Sequence, residues 1–133
     1  MLVLTAYTSL LFAAPAAFLK CGVASLLFGL LVPVSFAVHA IGGAEWAVNE
    51  TGAGRCLVLL DKLLAQAAGA AVIYRVATSD FVAWTVPFYL CVATVFLMYY
   101  VFYPEPPMCW VAHHAAFHFV VVLGCLFAYK CGA

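Results

Sequence analysis

The chain has 133 residues, 69% of them hydrophobic and 8% charged, with a formal net charge of zero. A water-soluble domain carries about 25% charged residues, so this composition excludes a free-standing soluble fold. With no basic run, nothing in the sequence recommends nucleic acid as a partner.

Read in chain order, the apolar runs predict an all-α, polytopic transmembrane bundle of about five helices forming a single domain over residues 1–133. A membrane span needs about 20 apolar residues. The first run, 2–19, is closed by Lys20, and the second, 22–42, follows after a tight turn. One helix from Leu2 to His39 would be too long for a bilayer, and Pro15 would kink it. The opening run lacks the charged leader and polar mature sequence of a cleaved secretory signal and is expected to be retained.

Gly42-Gly43-Ala44-Glu45-Trp46 through Gly52-Ala53-Gly54-Arg55 is rich in glycine and charge and reads as a loop. Trp46 suits the headgroup level. The third helix is expected over 56–78, where Ala65 with Gly69 and Ala67 with Ala71 stand four apart and permit close approach of a neighbour. Ser79-Asp80 is a turn. The fourth helix, 81–103, is expected to bend at Pro87, and Pro104-Glu105-Pro106-Pro107 ends it. The fifth covers 109–129. None of the six cysteines forms a Cys-x-x-Cys pair, so they read as small apolar filler. Cys56 and Cys109 both fall at helix starts on one side of the membrane.

Ionisable residues within membrane spans are costly and point to function. Four stand out here, His39, Asp61, His114 and His118, with His113 adjacent. Ser35 and His39 are four apart, as are His114 and His118, so each pair shares a helix face; His113 points about 100° away. Short loops force an up-and-down topology, which places His39, Asp61, His114 and His118 in one leaflet. Three neutral imidazoles and a water make a catalytic Zn2+ site, with His39, His114 and His118 as ligands. Asp61 serves as general base or orients the water, and Ser35 hydrogen-bonds the water or an oxyanion. A substrate reaching such a site from the bilayer is a lipid amide or ester. The bland alternatives are interfacial histidines, an Asp61 that snorkels or pairs with Lys62 or Arg55, and a Ser35 bonded to a carbonyl of its own helix.

Ser35-x3-His39, then Asp61, then His114-x3-His118 resembles the signature of the CREST superfamily, which includes alkaline ceramidases, progestin and adiponectin receptors and a GPI-lipid remodelling enzyme. The resemblance implies seven helices and a zinc-dependent hydrolase. Within it, Ser35-Phe36-Ala37-Val38-His39-Ala40 before Gly42-Gly43, Leu57 to Leu63 around Asp61, and Ser9-Leu10-Leu11-Phe12 before Pro15 are most similar to the myomaker-like branch. That branch is associated with membrane remodelling and cell fusion. Five helices stand where seven are expected, and losing an even number preserves the sidedness of the histidines.

Three functions compete on these residues. The first is a zinc-dependent lipid hydrolase. The second is a non-catalytic remodelling factor or small subunit of a membrane complex, closed by a homodimer or a partner chain. The third, an ion pathway, has only Tyr74 and Arg75 to continue it into the other leaflet. Lys20, Arg75 and Lys130, with Asp80, lie opposite the site, against Arg55 and Lys62 with Glu45, Glu50, Asp61 and Glu105 beside it. The positive-inside rule puts the site side outside the cytoplasm. Asn49-Glu50-Thr51, a glycosylation acceptor pattern, agrees with a luminal or extracellular site.

Overall fold

In the computed structural model, which describes residues 2–42, 52–80, 83–102 and 107–133, all regular structure is helical. The loop with Trp46 and Asn49, the proposed helix ends at Phe81 and Tyr103, and Pro104 to Pro106 lie outside the described residues, as does the side chain of Cys109.

The first apolar run is helix throughout but not uniform: α1 (Leu2–Ser9), a 3-10 turn (Leu10–Phe12) and α2 (Ala13–Phe18) follow one another. The tighter turn has a cause in Pro15, which has no N–H for the Leu11 carbonyl and whose ring crowds it. Leu19 is extended, with φ −65° and ψ 132°, and α3 (Gly22–Gly42) begins immediately after. Ser25 Oγ donates to the Ala16 carbonyl across this turn. Two helices therefore replace the single long rod that hydropathy alone would allow. Pro33 lies inside α3, leaving the Gly29 carbonyl without its i+4 donor.

The next helix, α4 (Gly52–Ala77), starts four residues before the expected Cys56. Gly52 and Gly54, assigned to a loop, lie in its first turn. There the N–H groups need no intrahelical partner, and buried Gly54 brings no side chain to the surface it covers. The short helix α5 (Thr85–Tyr100) begins later and ends earlier than expected. Pro87 falls in its first turn, where a missing N–H is harmless, so the expected bend has no basis. The last helix, α6 (Pro107–Lys130), extends one to two residues beyond both expected ends. Gly132, at φ +89°, closes it as the Gly132 and Ala133 amides donate to the Tyr129 and Ala128 carbonyls, both at 3.0 Å.

Three helical stretches, Gly22–Ala40, Gly52–Ala77 and Trp110–Lys130, are long and apolar enough to cross a membrane. Thr5–Phe18 and Thr85–Tyr100 are apolar but shorter. The packing follows an up-and-down order, with α1 and α2 on α3, α3 on α4, α5 on α6, and α6 back on α1. A core of Phe12, Phe28, Leu31, Val72, Phe88 and Cys125 fills the centre. The buried stripe of α4 is Ala68, Val72 and Val76 rather than either small-residue pair anticipated from spacing. Ala65 and Gly69 instead continue the face of Asp61 and border a cavity. Although α4 and α5 are consecutive in the chain, they do not pack along each other, and that cavity lies between them.

Candidate functional site

His39 is one turn from the end of α3, and His114 and His118 occupy adjacent turns near the start of α6. Because α3 ends and α6 begins at the same end of the bundle, the three rings meet. Their centroids are 4.6 Å apart for His39 and His114, 4.5 Å for His114 and His118, and 5.6 Å for His39 and His118. One ring nitrogen from each lies within 4.8 Å of the others, an arrangement that can hold a metal ion. The Nε2 atoms of His39 and His114 are 3.0 Å apart. Ligand nitrogens around a tetrahedral ion at about 2.0–2.1 Å stand roughly 3.3 Å from one another; the His39–His114 pair is near that spacing and the His118 nitrogen lies within reach.

His118 is oriented from a distant part of the chain. Thr8 Oγ1 lies 2.9 Å from the Thr5 carbonyl and 3.0 Å from His118 Nδ1. The carbonyl can only accept, so the hydroxyl proton goes to it and His118 Nδ1–H donates to Thr8. Nε2 is then the nitrogen left with a lone pair for an ion, the usual device by which an outer partner fixes a ligand imidazole. Apolar rings hold the rest: Phe12 meets His118 edge-on at 4.7 Å, and Trp110 stacks on His114 at 4.7 Å. His39 and His118 are each 2% exposed, so both rings point into the bundle and not onto its surface.

Ser35, one turn before His39, is also buried, and its hydroxyl lies 3.1 Å from Ser9 Oγ. Ser9 donates to the Thr5 carbonyl at 3.0 Å, leaving Ser35 to donate to Ser9. The partner of Ser35 is thus another helix and not a carbonyl of its own. Asp61 faces the cavity between α4 and α5, about 380 Å³, which Ser35, His114 and His118 also line. Apart from these residues, Lys62 and Gln66, the walls are almost entirely apolar, with Phe28, Leu31 and Val95 among them. An ionised side chain at the middle of a span costs roughly 2.5–3.5 kcal/mol on insertion scales. Asp61 shares its wall with the few polar groups of an otherwise apolar cavity, Ser35, Lys62, Gln66 and two of the histidines.

The structure therefore brings together His39, His114 and His118, with Ser35 and Asp61 on the adjoining cavity. Thr8 and Ser9 were not singled out for the site by sequence. Their signal was present: Thr5, Thr8 and Ser9 put three hydroxyls on one face of an apolar helix.

Comparison with protein-family models, with curated proteins and with solved structures finds no match for the chain.

Proposed function

We propose that this chain is a membrane-embedded, zinc-dependent hydrolase of lipid amides or esters, a shortened relative of the CREST superfamily close to its myomaker-like branch. The observation that carries the reading is the convergence of three histidines from α3 and α6 beside an apolar cavity between α4 and α5. Each histidine offers a nitrogen, and the cavity suits an acyl chain.

His39, His114 and His118 would hold the zinc, which when bound would supply Lewis acidity and lower the pKa of a water towards about 7. Asp61 accepts that proton as general base and returns it to the departing amine or alcohol. Ser35 turns its hydroxyl from Ser9 to donate to the carbonyl oxygen as negative charge builds on it. Thr8 holds His118 through both stages. Water adds across the C–N or C–O bond, giving a free carboxylic acid and an amine or alcohol.

Exposed Lys20, Arg75 and Lys130 lie at the end of the bundle opposite the histidines, supporting a site on the luminal or extracellular face of an endomembrane or plasma membrane. The competing reading is a non-catalytic remodelling or structural subunit. It draws on the outer face of α4, where Leu59, Leu60 and Leu63 are exposed to lipid, a second copy or a partner chain.

The discriminating experiment reconstitutes the zinc-loaded protein in vesicles and screens ceramides and phospholipids for fatty-acid release. Chelator-sensitive release that Asp61→Asn abolishes supports the hydrolase. No release from any of them, with stable association to a partner that histidine substitutions leave intact, supports the structural role.

A further inference from the structure

Helix α4 packs along α3 and touches α6, while α5 stands off across the cavity, so one side of α4 stays uncovered. On that side Leu59, Leu63, Gln66, Ala70 and Ile73 follow one another at alternating spacings of four and three residues. A seven-residue repeat of this kind keeps one seam of a helix facing a neighbour that crosses it at a shallow left-handed angle. Leu59 and Leu63 are more than half exposed, Gln66 and Ala70 are exposed, and Ile73 is half-buried.

Gln66 is the polar member of this seam. It stands near the middle of the 26-residue α4, one of the stretches long and apolar enough to cross a membrane. Among the described residues its amide has no hydrogen-bond partner. In a spanning helix, exposure at that depth is exposure to lipid tails, which offer neither donor nor acceptor. A side-chain amide carries both, two N–H donors and a carbonyl acceptor, and such groups bond from one transmembrane helix to another.

We propose that the α4 seam is the interface with a second copy of this chain, paired through Gln66 about a twofold axis. Two copies inserted in the same direction bring identical seams together in parallel and both Gln66 side chains to one depth. Each amide N–H then donates to the other copy's amide oxygen, a self-complementary contact. A lipid tail cannot answer that amide, and a different chain would need a matching group at one particular depth. A second copy carries it by symmetry. Leu59 and Leu63 pack on one side of the pair, and small Ala70 lets the backbones approach on the other. Gln66, Ala70 and Ile73 also belong to the cavity wall, so the second copy lies along the lip of the slot between α4 and α5. The inference requires neither zinc nor hydrolysis.

The test uses the full chain, labelled at its amino terminus with donor or acceptor dye, in phosphatidylcholine vesicles over a range of protein-to-lipid ratios. Energy transfer should follow a monomer–dimer isotherm. Gln66→Leu should weaken association about 3- to 30-fold, the scale of an interhelical hydrogen bond in a membrane, and Gln66→Asn should keep most of it. Leu60→Ala, at an exposed residue outside the seam, should change nothing, and every variant should keep the helical circular-dichroism signal. Cys56, exposed and seven residues before Leu63, reports the register. Oxidation with copper phenanthroline should join two copies through it, and Cys56→Ser should abolish the covalent dimer. A well-folded wild type that stays monomeric at the highest ratio would overturn the proposal and leave the seam to lipid or to a different chain. Association that Gln66→Leu leaves unchanged would also overturn it, as would a covalent dimer that survives Cys56→Ser, which would put another face at the interface.

Discussion

Thr8 Oγ1 stands 3.0 Å from His118 Nδ1, joining residues 110 positions apart in sequence. Because the Thr8 proton is directed at the Thr5 carbonyl, the hydroxyl accepts from His118 and sets which ring nitrogen keeps its lone pair. Thr8→Val keeps the shape and removes the acceptor. Outer partners of this kind affect metal affinity by about 10–100-fold. Competition with a chelating fluorophore should show a loss of that size for Thr8→Val and near-native affinity for Thr8→Ser.

Asp61 lines the cavity onto which His114 and His118 open but stands apart from the three-nitrogen cluster. Asp61→Asn should therefore retain metal while losing about 10²–10⁴ in turnover, the usual contribution of a positioned general base. A variant that loses metal and activity together would instead make Asp61 a ligand.

Gly124 lets α6 lie close to α5. A Cβ built there meets the Cys91 Cβ at 3.2 Å, and neither atom is the end of a flexible chain. Gly124→Ala should leave the Tm in detergent no higher than wild type, because the tight contact offsets the roughly 1 kcal/mol that Ala gains over Gly in a helix interior.

The closure of α6 has its own signature. Gly132 adopts φ +89°, a conformation that costs an L-residue roughly 1–2 kcal/mol. Gly132→Ala should lower the Tm by that scale while metal content stays constant, because the site lies at the other end of α6.

Much of the site was legible because its residues break a simple rule. Histidines and an aspartate in apolar runs stand out, four-residue spacing pairs them on one face, and counting helices puts them at one depth. The support given by Thr8 and Ser9 was hidden. Hydroxyls in apolar helices often bond to their own backbone, so nothing local distinguishes those that reach another helix. Thr8 and Ser9 do both. The start of α4 was misread because glycine lowers helix propensity, whereas the first turn tolerates it and Gly54 is buried in packing. The roles of Ala65 and Gly69 were misassigned because small residues fit equally against a neighbouring helix or along a cavity wall. Only the separation of α4 from α5 decides between them, and sequence adjacency predicts the opposite.

The central claim is that His39, His114 and His118 form one metal site. The most direct measurement is elemental analysis of detergent-purified protein, wild type beside His39→Ala and His114→Ala/His118→Ala. About one zinc per chain in the wild type, lost in both variants while the helical circular-dichroism signal is unchanged, is the predicted result. A well-folded wild type without zinc after loading, or variants that keep it, would contradict the account.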